Sequence, residues 1–272
     1  MRTIAHLSDL HFGRTDPAVL TPLVDAIAAA QPDVVAVSGD LTQRARESQF
    51  IQAREFLDRL PSPQIVIPGN HDVPLYDVMR RFAAPLARFR RHVTSDLAPF
   101  YQDDEIAIAG VNTARSLTFK GGRINAGQVE AIAERFARLP PSVLRIVVTH
   151  HPFDLPEHVD ESQLVGRATM AMRGFARAGV DLFLSGHLHQ SHSSTTQRYA
   201  IEGHSALVVQ SGTSTSTRGR GESNAFNVLR IEPDLIRVET LAWQSARGAF
   251  ELARSTIYSR GRDGWSQDPA LA

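Results

Sequence analysis

No cysteine occurs among the 272 residues of this sequence. Disulfide bonds, thiolate metal sites and cysteine nucleophiles are therefore excluded. Any bound metal ion must be held by nitrogen and oxygen atoms. Such ligands favour Mn, Fe, Co, Zn or Mg over copper(I) or an iron–sulfur cluster.

Excess charge of either sign is also missing, because 29 Lys and Arg residues balance 29 Asp and Glu residues. A chain with this balance gives no reason to expect nucleic acid or an acidic membrane as its main partner. Local basic patches remain compatible with it, since Arg residues cluster at Arg88, Arg90 and Arg91.

Long hydrophobic runs are absent as well, and no apolar stretch approaches the roughly 18 residues that span a bilayer. We expect no signal peptide, because the first group of chemically active residues starts at Asp9 and cleavage would remove it. The sequence therefore predicts a cytoplasmic location.

Apolar runs alternate with amphipathic stretches in the order typical of a parallel sheet with crossover helices. One α/β domain is predicted over residues 1–253, with residues 73–104 forming one or two short helices as a wall over the site. Residues 254–272 read as a polar tail that docks on a partner subunit or is loosely ordered. The predicted strands are 2–8, 33–40, 64–70, 105–113, 144–150 and 180–187, and the predicted helices are 17–30, 45–60, 126–139 and 162–177. From Tyr199 onward the pattern is β-rich, with a hairpin turn at Pro233-Asp234.

Five short polar motifs follow the apolar runs, each at a predicted strand end. Ligands of open α/β sheets bind at the carboxyl ends of strands, so we expect the five motifs to converge on one rim. An extended Asp9-Leu10-His11 segment would put both polar side chains on the same face, and the same holds for His187 and His189. The motifs are Asp9-Leu10-His11, Gly39-Asp40, Gly69-Asn70-His71-Asp72, His150-His151 and Gly186-His187-Leu188-His189.

These residues are suitable ligands for two metal ions. Asp40 follows a glycine and has two carboxylate oxygens, so it can bridge two cations. Two cations about 3.5–4 Å apart clamp the attacking and leaving oxygens of a displacement at phosphorus, and a bridging hydroxide is the nucleophile. The seven candidate ligands are Asp9, His11, Asp40, Asn70, His150, His187 and His189.

The series DLH, GD, GNHD, HH and GHLH, in this order, resembles the motifs of the calcineurin-like metallophosphoesterase superfamily over roughly residues 1–215. The resemblance implies a four-layer αββα sandwich, with two packed mixed sheets flanked by helices. It also implies that His71 acts near the leaving group as an acid or charge stabiliser and that Asp72 orients it. One metal ion would be held by Asp9, His11, Asp40 and His189, and the other by Asp40, Asn70, His150 and His187.

The segments around the motifs are similar to those of small bacterial class III cyclic-nucleotide and glycerophosphodiester phosphodiesterases. These segments are SDLHFG, SGDLTQ, IPGNHD and THHP. That similarity implies a binuclear phosphodiesterase acting on small diesters. A phosphomonoesterase, a nucleotide pyrophosphatase, a nuclease or a non-catalytic binding module on the same scaffold remain alternatives. The metals (Fe, Mn, Zn or Co, divalent or trivalent) and homo-oligomerisation stay open, and neither membrane nor nucleic acid is expected as a partner.

The sequence also predicts the direction of the His151 side chain and the character of residues 211–221. His151 points away from the site if its segment is extended. The stretch SGTSTSTRGRG (211–221) lacks the Gly-Lys-Ser/Thr ending of a P-loop, and we read it as a flexible loop near the site entrance.

Overall fold

Two mixed β-sheets form the centre of the computed structural model, which describes residues 1–118, 120–217 and 222–268. The first sheet contains β1 (Arg2–Leu7), β2 (Val34–Val37), β3 (Gln64–Val66), β10 (Ala225–Glu232), β11 (Leu235–Gln244), β12 (Ala249–Gly261) and β13 (Gly264–Gln267). Its order is β13-β12-β11-β10-β1-β2-β3. β1, β2 and β3 run parallel, and the other neighbours are antiparallel.

The second sheet contains β4 (Phe100–Gln102), β5 (Ile106–Val111), β6 (Leu144–Thr149), β7 (Leu182–Ser185), β8 (His192–Thr195) and β9 (Leu207–Gln210). Its order is β4-β5-β6-β7-β9-β8. The four central strands are parallel, and both edge strands are antiparallel to their neighbours.

Helices cover the outer faces of both sheets. They are α1 (Pro17–Ala29), α2 (Glu47–Leu57), α4 (Ala87–His92), α5 (Ala126–Phe136) and α6 (Ala168–Arg177), whereas the short α3 (Val78–Ala83) lies outside the apolar clusters. Short 3₁₀ helices lie at Asn70–Asp72, Glu161–Gln163 and Thr196–Tyr199. Within the described ranges, none of the helices has the length and apolar character needed to cross a bilayer.

Three apolar clusters show how the layers pack. One, which includes Ile4 and Ile108, fills the space between the two sheets. A second joins the first sheet to α1, α2 and α4, and a third joins the second sheet to α5 and α6. Four layers follow from these three interfaces, and the predicted αββα sandwich is confirmed.

Local sequence signals account for the ends of two helices. Asp16 caps α1 by accepting a hydrogen bond from the Ala18 amide, and proline occupies the first turn, where its missing N–H costs nothing. Asn125 caps α5 by accepting from the Gln128 amide. Helix α6 begins at Ala168, later than predicted, and a 3₁₀ helix and a loop precede it.

The prediction of a polar tail after Ala253 is wrong for the residues described. Residues 254–261 continue β12, and residues 264–267 form β13 at the edge of the first sheet. Exposed polar residues flank the buried Ile257, Tyr258 and Trp265, so these strands show no regular alternation of apolar and polar residues in the sequence. The end of the predicted tail, residues 269–272, lies outside the described residues.

The segment over residues 73–104 contains the short helices α3 and α4 and the edge strand β4. The two helices agree with the sequence prediction, and β4 was missed because three residues carry little periodicity. Phe89 of α4 is fully buried in the first helical layer. Several apolar side chains of α3 are exposed instead.

Trp265 tests whether the last two strands belong to the fold. Its indole is 2% exposed and packs between the sheets, and its amide donates to the Ser205 carbonyl at 2.7 Å. We expect Trp265→Ala to lower the free energy of unfolding, measured by urea denaturation, by about 3–5 kcal/mol. Trp243→Ala, at a half-buried position of β11, is the control and should cost less. Equal, small losses in both variants would contradict the integration of β13 into the core.

Candidate metal centre

The loops that follow β1, β2, β3, β6 and β7 bring all seven candidate ligands together. The first group consists of Asp9, His11 and His189. His189 Nε2 lies 3.1 Å from Asp9 Oδ1 and 3.1 Å from His11 Nε2. His11 Nε2 lies 3.5 Å from Asp9 Oδ1. Three potential ligand atoms therefore face one point.

A second group forms around Asn70. Its Oδ1 lies 3.1 Å from His150 Nε2 and 3.1 Å from His187 Nδ1. Asp40 lies between the groups, because its Oδ2 is 3.4 Å from His150 Nε2 and 3.9 Å from His11 Nε2. One carboxylate is thus shared by two sets of ligand atoms.

The spacing of these atoms fits metal coordination. Two ligand atoms about 2.1 Å from one ion, at angles of about 90–110°, lie about 3.0–3.4 Å apart. Two distances of the first group, both 3.1 Å, fall in this range, and the third, 3.5 Å, lies just above it. Asp9 Oδ1 is also buried without a hydrogen-bond donor among the described residues. An orphaned carboxylate oxygen beside two imidazole nitrogens is costly unless a cation lies among them.

Left-handed backbone, not an extended strand, directs most of these side chains. β1 ends at Leu7, and Asp9 and His11 have φ angles of 53° and 50°. The φ angles of Asp40, His187 and His189 are 52°, 77° and 60°. The expectation of extended Asp-x-His and His-x-His segments is therefore wrong. Non-glycine residues rarely adopt this region, and such positions cluster at functional sites.

Glycines beside the ligands permit the close approach of neighbouring loops. A Cβ on Gly69 would lie 2.2 Å from Asp40 Oδ1. A Cβ on Gly39 would lie 2.8 Å from His150 Nδ1, and the φ angle of Gly39 is 94°. Both positions exclude any larger side chain for steric reasons, which gives the glycines of the second and third motifs a direct structural role.

Hydrogen bonds from the backbone fix the orientation of the candidate ligands. His150 Nδ1 donates to the Ser38 carbonyl at 2.8 Å, which leaves Nε2 for a metal ion. The amide of His187 donates to Asp9 Oδ2 at 2.9 Å. Outer partners of this kind set the tautomer and direction of metal ligands.

Residues 211–216 hold the Asp9 loop from behind. The hydroxyl of Thr213 donates to the Asp9 carbonyl at 2.8 Å, and that of Thr215 donates to the Leu10 carbonyl at 2.5 Å. These residues are buried, so the predicted flexible loop is wrong for this part of the stretch. Residues 218–221 lie outside the described residues.

Opposing electrostatic effects act on the buried carboxylates. Burial raises the pKa of Asp9, but His189 and His11 lower it by more. The resulting pKa of Asp9 therefore lies well below its usual range. The same balance, with His150 and His71 as the lowering neighbours, depresses the pKa of Asp40. Both groups are therefore anionic at neutral pH, the form that binds cations.

The pKa values of the two histidines in the second group shift in opposite directions. Burial lowers the pKa of His150, but the carboxylate of Asp40 raises it, with a net value of about 9. Burial and the neighbouring His150 lower the pKa of His187 to about 3. His187 is therefore neutral at pH 7 and can offer a lone pair, whereas a cation would have to displace the proton of His150.

The structure assigns Asp72 a different role from the predicted one. Its carboxylate accepts from the amides of Leu41, Thr42 and Gly69 and from the Thr42 hydroxyl. These four donors fill a carboxylate's usual acceptor capacity. Burial and the charge of Asp40 raise the pKa of Asp72 to about 7. Asp72 therefore ties the second motif to the third.

The carbonyl of Gln43 orients His71 in place of Asp72. It lies 2.9 Å from His71 Nδ1, which donates to it. The ring packs edge-on against His11 with a centroid distance of 4.9 Å. The His71 amide also donates to Asp40 Oδ1 at 2.7 Å. His71 thus lies beside the candidate ligands, held by its ring Nδ1 and its backbone amide.

His151 is a buried neighbour of the second group. Its Nδ1 lies 2.8 Å from the Thr113 hydroxyl, and its Nε2 donates to the Lys120 carbonyl at 2.9 Å. The ring centroid lies 4.6 Å from that of His187. Sequence reasoning missed this supporting contact, since the residues involved are far apart in the chain. His151 therefore links the loop after β5 to the metal centre.

Substitution of Gly69 tests whether its close approach to Asp40 is needed for metal binding. In Gly69→Ala the new Cβ would collide with the Asp40 carboxylate, so we expect Mn²⁺ binding to weaken about 10–100-fold. Isothermal titration calorimetry of the chelated protein measures this. Gly121→Ala is the matched control, because nothing lies within 4 Å of its Cβ. Equal Mn²⁺ affinity in both variants would contradict the placement of Asp40.

Known proteins similar to this chain include two that are named as phosphodiesterases. A glycerophosphodiester phosphodiesterase of Enterobacter lignolyticus is 36% identical over 81 residues, which cover 25% of this chain and 29% of that protein. A protein of a Synechococcus strain, described as a probable cyclic nucleotide phosphodiesterase, is 25% identical over 214 residues, 70% of this chain and 74% of that protein. The first alignment thus spans less than a third of the relative's length.

A solved structure of similar fold is the purple acid phosphatase from yellow lupin seeds. It superposes with a TM-score of 0.70 at 15% identity and covers 96% of this chain and 54% of the lupin chain. At this identity the likeness concerns the fold alone. Residues 2–191 match the family described as calcineurin-like phosphoesterase, a range that holds all five polar motifs. The chain therefore belongs to the calcineurin-like phosphoesterase family.

Proposed function

We propose that this protein is a binuclear metal-dependent phosphodiesterase that hydrolyses small phosphodiesters. The observation that carries the proposal is the position of Asp40, whose Oδ2 is 3.4 Å from His150 Nε2 and 3.9 Å from His11 Nε2. A shared carboxylate between two ligand groups is the arrangement that two neighbouring cations require. The phosphodiesterase names of the two relatives support the substrate class.

The seven side chains divide into two ligand sets that share Asp40. Asp9, His11 and His189 complete one set, and Asn70, His150 and His187 complete the other. When bound, the two cations neutralise phosphoryl oxygens and activate a water molecule as the nucleophile. Nitrogen and oxygen ligation suits Fe, Mn, Zn or Co.

In this proposal His71 is the acid that protonates the leaving group. Its Nδ1 proton is engaged by the Gln43 carbonyl at 2.9 Å, which fixes the ring. Nε2 is then the atom that gives a proton to the departing alkoxide oxygen. The nearby Asp40 carboxylate, which accepts from the His71 amide, stabilises the protonated ring. A positioned acid of this kind contributes roughly 10²–10⁴-fold to the rate.

Cyclic nucleotides and glycerophosphodiesters are the proposed substrates, and a cytoplasmic location remains a prediction. We expect the chelated protein, reloaded with Mn²⁺, Fe²⁺, Zn²⁺ or Co²⁺, to hydrolyse bis-p-nitrophenyl phosphate faster than p-nitrophenyl phosphate. Initial rates on a panel of cyclic nucleotides and glycerophosphodiesters then rank the natural classes. A preference for the monoester would overturn the diester assignment, and hydrolysis of nucleic acid alone would indicate a nuclease.

His71→Ala separates chemistry from metal binding. We expect kcat for bis-p-nitrophenyl phosphate to fall by about 10²–10⁴-fold, while the metal content measured by mass spectrometry is unchanged. His92→Ala is the control, since His92 lies on α4 next to Glu47 and outside both ligand groups. Loss of metal from the His71 variant would instead show that His71 is a ligand.

A further inference from the structure

Strongly exposed apolar side chains concentrate on two segments beside the metal centre. Tyr76, Val78, Met79 and Phe82 follow the third motif, and Leu117 lies in the loop after β5. Among the described residues these are five of the eight large apolar side chains that are strongly exposed, with Met79 at 81% and Leu117 at 84%. We call these five residues the rim patch. Clustered exposed apolar groups mark interaction surfaces.

Arg81 joins the two segments of the rim patch. Its guanidinium donates to the Pro74 carbonyl at 2.8 Å, to the Ser116 carbonyl at 2.6 Å and to the Thr118 carbonyl at 2.5 Å. Leu117 lies between the last two acceptors. Arg81 is 4% exposed, so these charged hydrogen bonds are shielded and hold Leu117 beside α3. The patch is therefore a built surface.

The rim patch borders the candidate metal centre. The guanidinium of Arg44 lies 5.8 Å from the ring centroid of Tyr76, and its Nη1 lies 3.5 Å from His71 Nδ1. On the other side, the Lys120 carbonyl accepts from His151. A partner on the patch would thus sit next to the site entrance.

Positive charge surrounds the rim patch. Residues 73–95 and 112–123 together hold eight Lys and Arg residues but one acidic residue, Asp77. Within the described part of the chain, Arg90, Lys120 and Arg123 form no ion pair. The zero net charge of the whole sequence, from which we expected no membrane partner, hides this local excess.

A cavity of about 460 Å³ adjoins the patch, and Arg90 and Arg115 both line it. Ala83 and Ser116, the chain neighbours of Phe82 and Leu117, form part of the same wall. Cationic side chains at a recess beside exposed apolar groups match the chemistry of an anionic lipid, whose phosphate lies next to its acyl chains.

We infer that the rim patch docks on the surface of a bilayer that contains anionic phospholipid. Tyr76, Met79 and Leu117 enter the boundary between head groups and acyl chains, and the surrounding Arg and Lys residues contact lipid phosphates. A second copy of this chain is a poorer occupant, because a two-fold interface brings the same patch of each copy together and would oppose like charges.

Vesicle sedimentation tests this inference on the full chain. We expect binding to vesicles of phosphatidylglycerol and phosphatidylcholine, little binding to phosphatidylcholine alone, and a decrease as salt is added. The double variant Met79→Ser/Leu117→Ser should bind at least about ten-fold more weakly. Ile51→Ser/Leu252→Ser is the matched control, since both of its side chains are exposed on other surfaces. Urea denaturation checks that each variant is folded.

A charge pair completes the test. Arg90→Glu/Lys120→Glu should also weaken vesicle binding by about ten-fold or more, whereas Arg237→Glu on β11 should not. Absence of binding to the anionic vesicles, or equal binding by the Met79/Leu117 variant, would overturn the inference. So would sedimentation velocity that shows a dimer lost in that variant, which would identify a second copy as the occupant.

Discussion

The candidate metal centre depends on the loops that follow the strands, whose backbone adopts the left-handed conformation at five of the candidate ligands. Asp9, His11, Asp40, His187 and His189 all have positive φ angles, a conformation that is unfavourable for residues other than glycine. The two sheets, the hydroxyls of Thr213 and Thr215, and the Gly39 carbonyl that accepts from the Asp9 amide hold this backbone in place. The core of the sandwich therefore supplies the rigidity that keeps ligand atoms from five separate loops about 3 Å apart.

Charge balance is the second constraint on this centre. Asp9 and Asp40 are fully buried and carry negative charge, since neighbouring histidines lower their pKa values below the usual range. Imidazole nitrogens point at the same space as the carboxylate oxygens, and Asp9 Oδ1 has no donor among the described residues. Two buried carboxylates and several imidazoles with facing lone pairs are stable together when cations lie between them. We therefore expect metal binding to stabilise the folded state.

The motif order and the family resemblance it carries were sufficient to predict the layers and which side chains come together at the candidate metal centre, because strand ends and motifs are local features. They were not sufficient for contacts between distant segments. Gln43 rather than Asp72 orients His71, and buried Thr213 and Thr215 support the first motif. The sequence of β12 and β13 predicts a tail because polar residues dominate it, and only the pairing of β12 with β11 and of β13 with β12 shows which side chains are buried. The left-handed backbone conformation at Asp9 and His189 cannot be predicted from the pattern of apolar and polar residues.

Asp40 is the residue on which the two-metal account rests most directly. Anomalous diffraction at the manganese edge, from a crystal grown with Mn²⁺, would locate each bound ion. A two-metal centre predicts two peaks about 3.5–4 Å apart, one on each side of the Asp40 carboxylate. A single peak at saturating Mn²⁺, or peaks that Asp40 does not contact, would contradict it.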